Sequence, residues 1–170
     1  MTMPTYSLWL MPPAGARERL RALIERLSKK FRTPSFEPHV TLTGTSRPLD
    51  EVRAPLERYA RTLAPVPLAF TDIGYSAEYF RCLYLRAAKN AALLDAYRRA
   101  CAALGTPEDD FMPHLSLVYG KLAPAAKQGI IAELGRDWDA AFIAARVALY
   151  LPAGRPENWR CVADFALRGG

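Results

Sequence analysis

Two stretches decide how this sequence is read: Phe36-Glu37-Pro38-His39-Val40-Thr41-Leu42 and Phe111-Met112-Pro113-His114-Leu115-Ser116-Leu117. They lie 75 residues apart, counted from 39 to 114, and hold the only two histidines of the chain. At the same offset Ser7-Leu8-Trp9-Leu10 faces Cys82-Leu83-Tyr84-Leu85. Two separate segments that agree on one offset without a gap identify an internal duplication.

The pattern around these stretches supplies the rest of the unit. Tyr6 to Met11 is a short apolar run closed by Pro12-Pro13 and reads as a strand. Ala14 to Phe31 carries Leu20, Leu23, Ile24 and Leu27 on one face and Arg17, Arg21 and Lys29 on the other, the pattern of an amphipathic helix. Pro38 to Gly44 is a strand, Asp50 to Leu63 a helix with Asp50 as N-cap and Pro55 expected to kink or delay it, and Val66 to Ile73 a strand. The second copy reads Cys82–Ala87 (strand), Ala91–Leu104 (helix), His114–Tyr119 (strand), Pro124–Leu134 (helix) and Ala140–Tyr150 (strand), with a last strand, Trp159–Leu167, outside the repeat. The expected fold is α+β and bilobal. Two β-α-β-α-β units, about 5–73 and 80–150, with a final strand over 158–168, form one domain over 1–170. Pseudo-twofold symmetry then sets antiparallel sheets around a central cleft, with the helices outside.

In a strand, side chains alternate faces, so His39, Thr41 and Thr43 point one way and Val40 and Leu42 the other. The second strand sets His114, Ser116 and Val118 against Leu115 and Leu117. Each strand offers an imidazole with a hydroxyl two residues on, roughly 7 Å along the same face, so an anion fits between them. Imidazole titrates near neutrality, which lets one ring give a proton while the other takes one. A hydroxyl can donate to a phosphate oxygen where charge builds up. A lone strand histidine is ordinarily a satisfied core residue; two at equivalent places of a repeat, each with its hydroxyl, point to chemistry. Opposing shifts on the two rings place the pH optimum at roughly 6–7.5. Phe36, Phe111, Pro38 and Pro113 read as structural.

Composition agrees with a small folded domain. The chain has 170 residues, 51% hydrophobic and 24% charged, so it is not disordered, and no apolar run approaches membrane-spanning length. Met1 to Leu10 lacks a basic start and runs into Pro12-Pro13, so no secretory leader is expected and a cytoplasmic location is the default. Twenty-three basic against seventeen acidic residues give +6, which suits a polyanionic partner but equally a solvated basic surface. Cys82, Cys101 and Cys161 form no disulfide framework, and two distant histidines have no zinc spacing, so no metal and no cofactor are expected.

Paired His-x-[Thr/Ser]-x motifs in a duplicated α+β chain resemble the two-histidine (2H) phosphoesterase superfamily, and within it the plant and fungal cyclic phosphodiesterases. The resemblance rests on Tyr6-Ser7-Leu8-Trp9 leading to a proline, the two histidine motifs with Tyr119, and Trp159 before the final strand. It implies a bilobal fold with a water-filled cleft and metal-free hydrolysis of 2′,3′-cyclic nucleotides or ADP-ribose 1″,2″-cyclic phosphate to monoesters. His39, His114, Thr41 and Ser116 become the candidate catalytic residues, with His114 leaning to the base on water and His39 to the acid. Trp9 and Tyr119 match aromatic positions near the substrate base in the plant enzymes, and Tyr84, the repeat mate of Trp9, could line the same cleft. Core packing is the competing reading for Trp9 and Tyr119. The disulfides of the plant enzymes have no matching cysteine pairs here.

Arg81 and Arg86 flank Tyr84 and fit a solvated face better than a second phosphate site. Three other functions stay open: processing of RNA 3′ ends or 2′-5′ linkages, cleavage of cyclic oligonucleotide signals, and non-catalytic nucleotide binding. No basic tail or RNA-binding motif accompanies the net charge. The expected partner is a small cyclic nucleotide or nucleotide-sugar phosphodiester, with RNA ends as the variant, handled by a monomer away from membranes.

Overall fold

The computed structural model describes residues 5–135 and 140–170. Eight strands and four helices follow one another as β1 (Tyr6–Met11), α1 (Ala14–Phe31), β2 (Val40–Thr45), α2 (Leu49–Thr62), β3 (Val66–Tyr75), β4 (Leu83–Ala87), α3 (Ala91–Leu104), β5 (His114–Val118), α4 (Pro124–Leu134), β6 (Ala140–Ala144), β7 (Arg146–Leu151) and β8 (Arg160–Ala166). Two 3₁₀ turns, Tyr79–Arg81 and Pro156–Asn158, precede β4 and β8. Fold class is α+β, as the duplication implies.

Local sequence explains most boundaries. α1 buries Leu20, Ile24 and Leu27, spaced four and three apart on one face, and closes on Arg32 in a left-handed conformation with Lys29 and Lys30 against the carbonyl end of its dipole. In α3 the Asn90 side chain accepts from the Leu93 amide at 2.8 Å, and Gly105 supplies the left-handed C-cap at φ 66°. α2 differs from expectation in two ways. Pro48 rather than Asp50 occupies the N-cap position, and Asp50 and Glu51 lie in the first turn, where the helix dipole favours them. Pro55 neither delays nor ends the helix, which runs from Leu49 to Thr62 with Pro55 inside it.

The expected single strand over Ala140–Tyr150 is in fact two. β6 pairs with β3 and β7 pairs with β1, so the chain changes partners at Ala145. The strand order is β6-β3-β4-β5-β2-β1-β7-β8, every pairing antiparallel. The closing strand of each repeat therefore crosses over: β3 completes the half-sheet of β4 and β5, and β7 completes that of β1 and β2. Both half-sheets contain strands from both copies. β8, which has no partner in the sequence repeat, takes the outer edge that β6 takes on the other half.

The two halves meet at β2 and β5, where the pairing is Val40 with Leu115. One face of the sheet packs on the helices, with Leu8, Leu10, Val40, Leu115, Val147 and Leu149 in a continuous core. The other face carries a separate small cluster of Trp9, Met11, Ala148 and Tyr150, with Trp159 against it. This helix-free face holds the candidate site.

Candidate active site

Register sets the four candidate side chains together. Val40 and Leu115 are antiparallel partners with both side chains in the core, so residues 39, 41, 114 and 116 project to the opposite face. Carrying the register one residue each way puts His39 across from Ser116 and Thr41 across from His114. The duplication thus becomes a ring of two imidazoles and two hydroxyls around a pseudo-twofold axis.

Both histidines are held alike. His39 Nδ1 donates to the Glu37 carbonyl at 2.6 Å, and His114 Nδ1 donates to the Met112 carbonyl at 2.9 Å. A carbonyl only accepts, so Nδ1 bears hydrogen in each ring and Nε2 is the nitrogen available to exchange a proton. The aromatic neighbours also correspond. Trp9 is the β1 partner of Thr41, Tyr84 is the β4 partner of Ser116, and a bulge immediately precedes each, between Leu8 and Trp9 and between Leu83 and Tyr84. Gly74, opposite Tyr84, is required there: a Cβ on it would come within 2.6 Å of the tyrosine ring.

The symmetry breaks in how the rings pack. His39 stacks on Trp9 with centroids 3.5 Å apart and planes 7° from parallel, and Tyr150 stacks on Trp9 at 3.8 Å and 17°. Two rings centred so close over one indole must cover its two faces, and Trp9 is only 1% exposed. Its Nε1 donates to the Ser7 hydroxyl at 2.7 Å. His114 instead meets the edge of Tyr84 at 5.3 Å and remains partly exposed. Burial pushes His39 down to about 4, helped by the nearby His114 and opposed by the Glu37 carbonyl and carboxylate. His114 is lowered too, by burial first and by Arg81 and Arg86, against the Met112 carbonyl and Glu78.

The hydroxyls differ as well. Thr41 is half-buried, whereas Ser116, 5% exposed, donates to the Phe80 carbonyl at 3.0 Å. A serine has one hydroxyl proton, so Ser116 must turn from Phe80 to donate elsewhere. Tyr119, just past β5, is buried: one ring face lies on Phe36 at 3.7 Å, with Phe80 edge-on and Trp159 tilted against it.

Trp9, Tyr84 and Tyr119 are therefore all packed, and the accessible aromatic surface near the histidines belongs to Trp159, which is half-buried, and Phe80, which is 54% exposed. These two sit at the 3₁₀ turns of opposite halves and approach to 5.8 Å. Neither Phe80 nor Tyr150 was among the expected site residues. Tyr150 has an ordinary strand alternation as its only signal, and Phe80 lies in a turn with no periodicity.

Arg86 pairs with Asp72 at 3.2 Å, lies over the Tyr84 ring and is exposed, in keeping with a solvated face. Arg81 pairs with Glu78 but is half-buried, its Nε without a hydrogen-bond partner among the described residues, so the solvated reading does not describe it. Among the described residues no group of three or more His, Cys, Asp or Glu side chains could hold a metal ion, and the three cysteines are free. No helix there is long and apolar enough to cross a membrane.

Comparison with known proteins places this geometry in context. A family model described as cyclic phosphodiesterase-like protein matches residues 3–146. A cyclic phosphodiesterase of Arabidopsis thaliana is 27% identical over 129 residues, covering 72% of this chain and 69% of the plant protein. A 2′,3′-cyclic-nucleotide 3′-phosphodiesterase of Saccharomyces cerevisiae is 24% identical over 163 residues, covering 73% and 68%. Among solved structures, a Thermus thermophilus protein superimposes with a TM-score of 0.67 at 21% identity, over 97% of this chain and 98% of the other. LigT of E. coli, solved with 3′-AMP, has the same TM-score at 13% identity, over 98% and 99%.

Proposed function

Because the chain belongs to the cyclic phosphodiesterase-like family, and so is a phosphoric diester hydrolase, we propose that it opens a small cyclic phosphodiester between His39 and His114 by paired acid–base catalysis without a metal. The substrate is a 2′,3′-cyclic nucleotide or ADP-ribose 1″,2″-cyclic phosphate. The observation that carries this reading is the matched tethering of both rings: each Nδ1–H is used on a carbonyl two residues back, and each Nε2 is left for proton exchange.

The reaction balances with these groups alone. One neutral imidazole takes a proton from water as the oxygen attacks phosphorus; the second, protonated at Nε2, gives its proton to the departing sugar oxygen as the P–O bond breaks. The product is a phosphomonoester with the proton states of the two rings exchanged. Thr41, and Ser116 once turned from Phe80, donate to the non-bridging oxygens as charge grows there. In the reading drawn from the resemblance His114 is the base and His39 the acid. Burial leaves His39 neutral in the free protein near pH 7, so the acid role requires the bound phosphate anion to restore its proton. His114 is lowered as well and as acid would also need its proton restored, but it is the less buried of the two rings, and this is the observation favouring the reverse assignment.

The relatives named 2′,3′-cyclic-nucleotide 3′-phosphodiesterase support a mononucleotide substrate cut at the 3′ oxygen. A panel of 2′,3′-cyclic nucleotides, ADP-ribose 1″,2″-cyclic phosphate, 2′-5′ dinucleotides and cyclic dinucleotides tests it. Turnover of either of the first two to a monoester is the expected result. Activity on the dinucleotides alone would transfer the site to RNA-end or signal-nucleotide processing, and no turnover would leave a binding module.

A further inference from the structure

Arg17 and Arg21, one turn apart on α1, both grip the Glu37 carboxylate. Arg17 Nε lies 2.9 Å and Nη2 2.8 Å from Oε2; Arg21 Nε lies 3.1 Å from Oε1 and its Nη2 2.9 Å from Oε2. Burial alone would raise this carboxyl, but the hydrogen bonds from Arg21 and Arg17 outweigh it and hold the group below its usual value. The residue so clamped is the one whose backbone carbonyl takes His39 Nδ1–H. Residues 33–39 have no strand or helix of their own, so side-chain anchors must fix this segment.

The second copy provides an internal comparison. At the positions of Arg17, Arg21 and Glu37 it has Ala92, Ala96 and Met112: the clamp is absent as a whole. That copy secures its segment otherwise. The Tyr97 hydroxyl donates to the Asp109 carboxylate at 2.8 Å and accepts from the Asp109 amide at 2.6 Å, while the Tyr97 ring stacks on Phe111 at 4.1 Å. Ala22 stands where the first copy would need that tyrosine. Both segments thus have an aromatic anchor, Phe36 on Tyr119 and Phe111 on Tyr97, and only the His39 segment adds an ionic one.

We propose that Glu37, clamped by Arg17 and Arg21, is a positioning residue that holds His39 through its own backbone carbonyl and so keeps Nε2 in line for proton transfer. The proposal rests on His39 being one of the two reacting histidines. A ring tethered at one nitrogen swings if the tether moves, and sub-ångström displacement of a proton-transfer group weakens the chemical step more than substrate binding. The charged or titratable groups around His39 are Glu37 with its two arginines, His114 of β5, and Tyr150 of β7 beyond Trp9. Replacing the carboxylate leaves two unpaired guanidinium charges near the ring, which disfavours the imidazolium.

The test uses the full chain and Glu37→Gln, with Glu37→Asp as the conservative variant. Glu133→Gln is a matched control, since Arg26 and Lys30 of the same helix grip Glu133 and none of the three is among the groups acting on either histidine. The readouts are kcat and KM on a 2′,3′-cyclic nucleotide, thermal melting, and NMR titration of the two imidazoles, assigned with His114→Ala. In Glu37→Gln, kcat should fall about tenfold with KM within twofold. His39 should titrate lower while His114 stays in place, and Glu37→Asp should recover part of kcat. Glu133→Gln should alter neither kcat nor His39. A Glu37→Gln protein with kcat within twofold of wild type, an unmoved His39 titration, or an equal loss in Glu133→Gln would each overturn the positioning role. If His39→Ala itself keeps full turnover, the acid–base reading fails instead, which separates the two failures.

Discussion

Replacing Trp9 separates two roles that an aromatic residue beside a nucleotide site could have. If Trp9 were a base-stacking surface, Trp9→Leu would raise KM and leave stability nearly untouched. The structure puts His39 on one indole face and Tyr150 on the other, with 1% of the residue exposed, so no nucleobase reaches either face. Truncating a fully buried tryptophan costs about 3–5 kcal/mol at the alanine limit. Leucine restores part of the volume but loses two ring stacks at about 0.5–1.5 kcal/mol each. A net loss of about 3 kcal/mol is expected, read as a lower urea midpoint at unchanged m-value. Because the indole also fixes the His39 ring, kcat should fall about tenfold or more, with KM for adenine and uracil cyclic nucleotides little changed. Trp9→Phe, which keeps one ring in the stack, should recover most of both losses. Near wild-type stability in Trp9→Leu, together with a base-dependent rise in KM, would refute the platform role and return Trp9 to the substrate.

The other predictions follow from the same geometry. Phe80→Ala removes an exposed ring, so stability should hold within about 0.5 kcal/mol while KM rises if the base rests there; an unchanged KM would exclude Phe80 as a substrate contact. Thr41→Ala and Ser116→Ala should each cost about 1–3 kcal/mol of transition-state stabilisation in kcat/KM, with wild-type kinetics demoting them to strand formers. Both histidines are displaced below free imidazole, so the bell in kcat/KM should centre on the acid side of about 6.5, and a profile flat from 5 to 9 would contradict paired catalysis. Stability should show the same displacement. The unfolded chain protonates His39 near 6.5 and the folded chain only near 4, so the unfolded state binds more protons in between. Stability contributed by the neutral ring is full above 6.5 and falls by about 3 kcal/mol as pH drops to 4, and this part of the slope should be lost in His39→Ala, leaving the contribution of His114, which is lowered as well.

The duplication was legible because it preserves spacing: a single offset relates the histidines, their hydroxyls, and the pair Trp9 and Tyr84, and the structure adds matching bulges ahead of both aromatics. Strand alternation sufficed to separate His39 and Thr41 from Val40 and Leu42. What did not show was anything decided by partner choice in space. The run from Ala140 to Tyr150 is apolar but for Arg146, and a single charge in a strand does not by itself mark Ala145 as the point where pairing passes from β3 to β1. Similarly, the sequence carries no sign that Tyr150 lies on the far face of Trp9. Glu37 was in plain view within the first motif, but its partners sit 16 and 20 residues earlier on a helix face that reads as ordinary solvated charge.

Single-turnover hydrolysis of a 2′,3′-cyclic nucleotide by wild type, His39→Ala and His114→Ala, repeated with a nitrophenyl phosphodiester whose leaving group needs no proton, bears most directly on the paired histidines. Each substitution should slow the cyclic substrate at least about 100-fold without unfolding the chain, and the nitrophenyl ester should rescue only the variant lacking the acid. With His39 as acid, His39→Ala is the rescued one; rescue of His114→Ala would exchange the two roles. Near-normal turnover of the cyclic nucleotide by either variant would contradict catalysis by the pair.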